Sequence, residues 1–465
     1  MAKAKGPLHL ASAKLTREEK ILQGKEIRNK VSRAAHADWK PKSSRPDPIA
    51  ILIESSKGRE ENLLPIRYGR MLSSPFAFYR GAASIMASDL SITPRTDVIV
   101  QACGDCHLVN FGGFATPERT IAFDINDFDE TLPAPWEWDV KRLAASFVIA
   151  SENNGLSAKD ARETALACVS NYRKWMLKFS EMSILDRWYF QIDLDMVLGL
   201  INDKEWEKQL KARVKVEQKK SSPYTAFPKM TEQKGGEVRI KDEPPLIFHP
   251  DNAENKKAFH KLINDAFLQY RETLPDDRKV LLDHYEIKDM AMKVVGVGSV
   301  GTRCGILLMM SSTNEPLFLQ VKEARVSVME PYIGKSIYKN RGQRVVVGQR
   351  IMQSASDMFL GWTEGAAGRH FYIRQLRDTK IKPLVETFNA EPMRKYALLC
   401  GGALARAHAK GGNPAIIAGY LGKSDKFDEA IADFAEAYAR QNEKDFEALK
   451  DAVRTGRLRA VFENQ

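Results

Sequence analysis

Apolar residues recur at three- and four-residue spacing through Trp138 to Ala150 and Ala158 to Met182, the period of helices that turn one face to a core. Tyr396 to Ala409 and Phe427 to Val453 read the same way, so the last third of the chain is expected to be helical. Asp97-Val98-Ile99-Val100-Gln101 predicts a short strand from its β-branched residues, and Phe111 to Ile125 predicts a hairpin that turns at Thr116-Pro117-Glu118-Arg119. Strand character returns from Met292 to Gly296, at Gly305 to Met310 and, after the polar turn Ser311 to Pro316, at Leu317 to Lys322. These segments make a small antiparallel sheet. Between the two regions, residues 203–243 crowd Lys, Glu and Gln around Ser221-Ser222-Pro223 and Gly235-Gly236, the mark of an insert or lobe boundary. Leu63 to Leu90, rich in Arg, aromatics and small residues, is too apolar for a linker.

Composition narrows the class. With 465 residues, 43% hydrophobic and 28% charged, the chain is globular and long enough for several units or one bilobal enzyme. No apolar run reaches membrane-span length, and no secretory h-region follows Met1, so a cytoplasmic protein without a membrane role is expected. Its five cysteines are too few and too scattered for a disulfide framework. The net charge is +11, of which +8 lies in residues 1–46, so the body is near neutral. That arm reads as a solvated, helix-capable tail, and nucleic acid is expected as a partner only if the arm binds it. The expected organisation is a basic arm at 1–60, a catalytic-loop part at 61–202, a charged insert with connecting helices at 203–285, a small β-rich part at 286–380 and a helical part at 381–465.

The densest chemistry lies in Cys103-Gly104-Asp105-Cys106-His107-Leu108-Val109-Asn110, with Phe123-Asp124-Ile125-Asn126-Asp127-Phe128-Asp129-Glu130 shortly after it. Cys103-x-x-Cys106-His107 matches the c-type haem attachment pattern, but without export that reading is set aside, as is a zinc site lacking a second Cys/His pair. The window fits phosphoryl transfer better. Asp105 would accept the proton of an acceptor hydroxyl, Asn110, five residues on, would hold Mg²⁺, and a later Asp, Asp124 or alternatively Asp127, would join metal to phosphates. Downstream, Val295-Gly296-Val297-Gly298-Ser299-Val300-Gly301 matches Gly-x-Gly-x-x-Gly. The residues after this motif are strand-like, which argues against a dinucleotide site and for a phosphate-cradling loop between two strands. On the second strand after the motif, Lys322 is placed to reach phosphates, with Gln343, Gln349 or Gln353 as its possible helix partner.

With these motifs the chain resembles the kinase-like fold, above all the aminoglycoside and choline phosphotransferases, whose loop reads His-Gly-Asp-x-His-x-x-Asn. Cys103 replaces the first His and His107 keeps the second, so the resemblance groups His107 with Asp105 as catalytic. Asp139, in Trp136-Glu137-Trp138-Asp139, would brace the loop. The catalytic loop precedes the glycine loop here, whereas the kinase-like order is the reverse. The fold class implied is α+β, a bilobal protein-kinase-like fold in circularly permuted order. From about Arg67 to Leu458 the sequence also resembles a bacterial family of unknown function, number 2252, in phrases such as Ser74 to Gly81, Asn126 to Glu130, Gly348 to Gln353 and Tyr372 to Asp378.

The expected function is ATP- and Mg²⁺-dependent phosphotransfer to an unidentified hydroxyl acceptor, with AMP transfer left open. Gly296, Gly298, Ser299, Gly301 and Lys322 would bind the cofactor, and Asn110, Asp124 and Asp127 the metal. Arg67, Arg70, Arg80, Arg374 and Arg377 are candidates to meet an anionic substrate. The alternative is a non-catalytic nucleotide-binding regulatory protein, and a dehydrogenase ranks last.

Overall fold

The computed structural model describes residues 14–200, 204–220, 223–244, 246–249, 256–294, 296, 300–376 and 379–462. Along the chain, helices α1 (Arg17–Lys30), α2 (Pro48–Ser56), α3 (Leu64–Met71), α4 (Pro75–Gly81) and α5 (Ala83–Leu90) come first. Strands β1 (Ile99–Ala102), β2 (Phe111–Ala115), β3 (Ile121–Ile125) and β4 (Leu132–Pro135) lead into α6 (Trp136–Asn153) and α7 (Ala158–Glu181). Short helices α8 (Ile184–Tyr189) and α9 (Leu194–Leu198) precede α10 (Lys204–Lys220), α11 (Pro223–Met230), β5 (Thr231–Lys234), β6 (Glu237–Ile240), β7 (Ile247–Phe248), α12 (Lys256–Glu272) and α13 (Asp276–Leu282). Then come β8 (Tyr285–Lys293), β9 (Cys304–Ser311), β10 (Pro316–Glu323), α14 (Glu330–Ile333), α15 (Arg341–Met352), β11 (Gly361–Glu364), β12 (His370–Gln375) and β13 (Lys380–Ile381). Three helices close the chain: α16 (Ala390–Lys410), α17 (Pro414–Leu421) and α18 (Lys426–Arg454).

The fold is mixed α and β, with helix predominating, as the α+β expectation required. None of the described helices is long and apolar enough to cross a membrane. The main core gathers α6, α7, α16 and α18 around β1, β3 and β4. Helix α6 runs through its middle and is buried at every position from Trp136 to Ser151. Its three- and four-residue apolar spacing thus marks one face of a helix that is enclosed on all sides.

A six-stranded sheet in the order β11-β12-β10-β9-β8-β7 forms the second unit. Strand β9 is a continuous apolar run because both faces of the sheet are covered. Leu307 and Met309 face Tyr270 of α12, Leu282 of α13 and Leu274 between them, while Ile306 and Leu308 face Ala226 and Met230 of α11. Of the charged segment, α11, α12 and α13 are therefore built onto the small sheet, while α10 lies against β13. Gly235 and Gly236, at φ +62° and +83°, form the tight turn between β5 and β6, a conformation side chains resist.

The basic arm is not a solvated tail over its described part. Helix α1 lies across α17 at Gly24 and Gly419, where a Cβ on either glycine would collide with the other helix's backbone. Arg28 and Arg33 donate to the carbonyls of Tyr420 and Leu421, and Trp39 and His36 are buried. Arg28 and Arg33 thus cap the C-terminal end of α17, where carbonyls lack helical partners.

Candidate active site

Strand β1 pairs with β4 and delivers the chain into the loop 103–110. That loop is held by one face of α6. Asp139 accepts the backbone N–H groups of Cys103 (2.7 Å) and Gly104 (2.9 Å), Arg142 donates to Asp105 through Nε (2.8 Å) and Nη2, and Ser146 Oγ accepts from Leu108 N (3.0 Å). Positions 139, 142 and 146 share a helical face, so these polar residues inside a buried helix are explained by the loop they position. Behind them, His408 of α16 meets Asp139 at 3.2 Å and Tyr172 at 2.9 Å. Gly104 has φ +81°, and a Cβ there would stand 2.6 Å from the Glu130 carbonyl, so the turn requires glycine. Asn110 closes the loop by donating from Nδ2 to the Asp105 carbonyl (2.8 Å).

Asp105, His107, Asn110, Asp127, Asp129 and Gly296 line one cleft of about 700 Å³ between the two units. His107 is pushed well below the ordinary histidine value by burial and then by Arg80 and Arg142, so it is neutral at neutral pH and carries no proton to donate as imidazolium. Its Nε2 lies 3.9 Å from Asp105, beyond hydrogen-bond reach.

Asp124 does not reach the cleft, which corrects its assignment as a metal ligand. It is fully buried, and Arg406 Nη2 donates to both carboxylate oxygens at 2.7 and 2.9 Å while Ser354 N donates to Oδ2 at 2.7 Å. It ties β3 to α16 and the end of α15. The open alternative, Asp127, lies on the cleft wall instead. Asp127 takes the N–H of Asp129 (3.0 Å), and burial, then the neighbouring Asp129 carboxylate, raises its pKa.

Lys322 finds an acidic partner, Asp129, in place of Gln343, Gln349 or Gln353. Tyr372 OH also donates to Asp129 (2.6 Å). Burial alone would raise the Asp129 pKa, but Lys322 outweighs it and the group is held below its ordinary value; Lys322 is correspondingly raised. Helix α15 contributes Arg344, which donates to the carbonyls of Asp129 (2.8 Å) and Thr131 (2.6 Å). The glycine segment joins β8 to β9, so it is a hairpin and not a strand-to-helix turn. Gly296 and Gly301 both have positive φ, whereas Gly298 and Ser299 lie outside the described residues. Its ends are clamped from the N-terminal region: Glu60 N donates to Gly301 O (2.8 Å), Arg59 to Val300 O (2.7 Å) and Arg70 to Gly296 O. Sequence reasoning missed this clamp and the Arg142–Asp105 pair.

Of the arginines expected to face an anion, Arg67 and Arg80 line the cleft, Arg70 serves the glycine segment, Arg374 borders a smaller cavity and Arg377 lies outside the described residues. Cys103, Cys106 and Asp139 do group closely, but both cysteines are buried in the main core and present no face to a haem.

Beside the smaller cavity, Lys380 is pushed down to about 7 by Arg374 first and by burial second. Between that value and the ordinary lysine value the unfolded chain binds more protons than the folded one, so this group makes stability rise with pH across that window. Lys380→Met is expected to melt higher than wild type in mildly acidic buffer, where the native lysine is charged beside Arg374. The gain should fade in alkaline buffer, and an equal gain in both buffers would contradict the assignment.

A family model described as an uncharacterized protein conserved in bacteria, domain of unknown function 2252, matches residues 59–452. No curated protein and no solved structure matches the chain. The match spans the loop, the glycine segment, Lys322 and the helices that hold them, and the chain belongs to this family.

Proposed function

We propose that the protein is a kinase-like phosphotransferase in circularly permuted order, transferring a phosphoryl group from Mg-ATP to a hydroxyl acceptor. The observation that carries this reading is the sheet. Strands β8, β9, β10, β12 and β11 are neighbours in that order, with the glycine turn between the first two, Lys322 on the third and α15 between β10 and β11. Lys322 then meets Asp129, which lines the same cleft as the Asp105–Asn110 loop, and phosphoryl transfer likewise uses a strand lysine held by a carboxylate. Permutation has its own support. Helix α16, which would run straight into the catalytic loop in the unpermuted order, ends where Gln101 N donates to Gly411 O (2.7 Å), one strand residue from Ala102 and the loop.

The donor set suits the metal. Asp127 is a half-buried carboxylate crowded by a second one, and with Asn110 it offers the oxygen ligands Mg²⁺ prefers. Mg²⁺ held there would neutralise charge on the β- and γ-phosphates. In the reaction the acceptor oxygen forms a bond to the γ-phosphorus, the bond to the β–γ bridging oxygen breaks, ADP leaves and the acceptor proton passes to Asp105. Arg142 fixes the Asp105 carboxylate so that its free edge faces the cleft. AMP transfer would release pyrophosphate instead of ADP, so product analysis separates the two.

Thermal denaturation tests the reading. Mg-ATP at a hundred times its dissociation constant should stabilise the wild type by about 2.7 kcal/mol. Asp127→Asn should lose the Mg²⁺ dependence of that gain. No gain at millimolar Mg-ATP would remove the nucleotide site, and a gain without turnover would favour a regulatory nucleotide-binding protein.

A further inference from the structure

Several deeply placed arginines in this protein hold a carboxylate, while Arg344 bonds only carbonyls. Arg45 pairs with Asp89 and Asp445, Arg142 with Asp105, Arg173 with Asp428 and Arg406 with Asp124. Four arginines on the cleft wall do not. Arg59 donates to the Val300 carbonyl, Arg67 to Ser56 Oγ (3.1 Å) and Gly81 O (3.0 Å), and Arg325 to the Ser55 (2.9 Å) and Lys57 carbonyls. Arg80 makes no hydrogen bond or ion pair among the described residues, and its Nε is buried without a partner. All four line the same cleft as Asp105.

A buried guanidinium loses its hydration and regains the cost only through an anion or a full set of acceptors. Here burial lowers the pKa of Arg59, Arg67, Arg80 and Arg325 alike, and Arg59 is lowered further by Arg67 and Arg325. The carboxylates nearby are committed elsewhere: Asp105 to Arg142, Glu130 to Val328 N (2.7 Å), Glu54 to Lys57 and Glu323 to Arg303. The four arginines are therefore left without a bonded carboxylate, although Asp105 and Glu386 act on Arg80 from a distance, and the wall borders the reacting side, since Arg80 acts on both Asp105 and His107.

We infer that the Arg59, Arg67, Arg80 and Arg325 wall is the acceptor subsite, and that the acceptor is a small hydroxyl compound carrying a phosphate or carboxylate group held chiefly by Arg80. This rests on the phosphotransferase reading, because it places the acceptor's hydroxyl at Asp105 while the anion lies on the arginines. Arginine's planar fork suits both oxyanions.

Calorimetric titration tests it, using inorganic phosphate and succinate as separate probes, each added to wild type, Arg80→Gln and Arg80→Lys, with and without a saturating non-hydrolysable Mg-ATP analogue. At least one probe should bind the wild type, and Arg80→Gln should weaken it by about 10- to 100-fold, the worth of charge-assisted hydrogen bonds. Arg80→Lys should recover part of that loss, which a merely unfolded variant would not. Which probe binds tells phosphate from carboxylate. Neither probe binding, or both variants binding as well as wild type, overturns the subsite. Loss of probe binding when the nucleotide analogue is present overturns its assignment to the acceptor, because the arginines would then hold nucleotide phosphate. If the analogue binds no variant while the probe still needs Arg80, the anion site stands and the phosphotransferase reading falls.

Discussion

Asp124→Asn is expected to lower stability by about 3–5 kcal/mol, the usual cost of removing one partner of a buried ion pair. Both oxygens of Asp124 are occupied by Arg406, whose Nε and Nη1 already lack partners. Neutralising the carboxylate leaves a buried guanidinium with one weak acceptor and the Met352 carbonyl. The Ser354 N–H keeps an amide oxygen at best, so the joint between β3, α15 and α16 loosens. Urea denaturation measures this directly, with the midpoint falling at unchanged slope. A metal ligand would behave differently. If Asp124→Asn kept its stability and lost only Mg²⁺-dependent binding, the buried pair would have been misread and Asp124 would return to the site.

The contrast between Asp124 and Asp127 shows what was legible beforehand. Both lie in a short acidic run after a predicted strand, and spacing alone admits either as the second metal carboxylate. What separates them is burial against a helix that begins about 270 residues later, which no local pattern encodes. The same holds for Lys322, whose partner Asp129 stands 193 residues away in the sequence. Local features were readable because local chemistry produces them. The β2–β3 hairpin turns at the expected Thr116 to Arg119, and the Gly104 turn and the glycine segment announce positive φ through their residue types. Asp139 was also legible, since a carboxylate in the first turn of a helix next to a tight loop has backbone N–H groups to accept. The arm was not. Its charge suggested solvent, yet Arg28 and Arg33 cap α17, an element almost four hundred residues on.

Asp105→Asn is expected to reduce turnover by about 10²–10⁴, the worth of a positioned general base, while Mg-ATP binding is retained. Asparagine preserves the shape of the side chain and leaves Arg142 an acceptor, which matters because Arg142 is buried and its other acceptors are Tyr79 O (3.2 Å) and Met86 Sδ (3.5 Å). Asp105→Ala would remove that acceptor and confuse lost catalysis with a misplaced helix α6. The nucleotide-induced rise in melting temperature keeps the two apart. An unchanged rise with turnover lost assigns Asp105 to the proton. Loss of both would make the Asp105–Arg142 pair a scaffold for the loop, and would move the search for the base to the remaining cleft carboxylates, of which Asp127 has no cation bonded to it among the described residues.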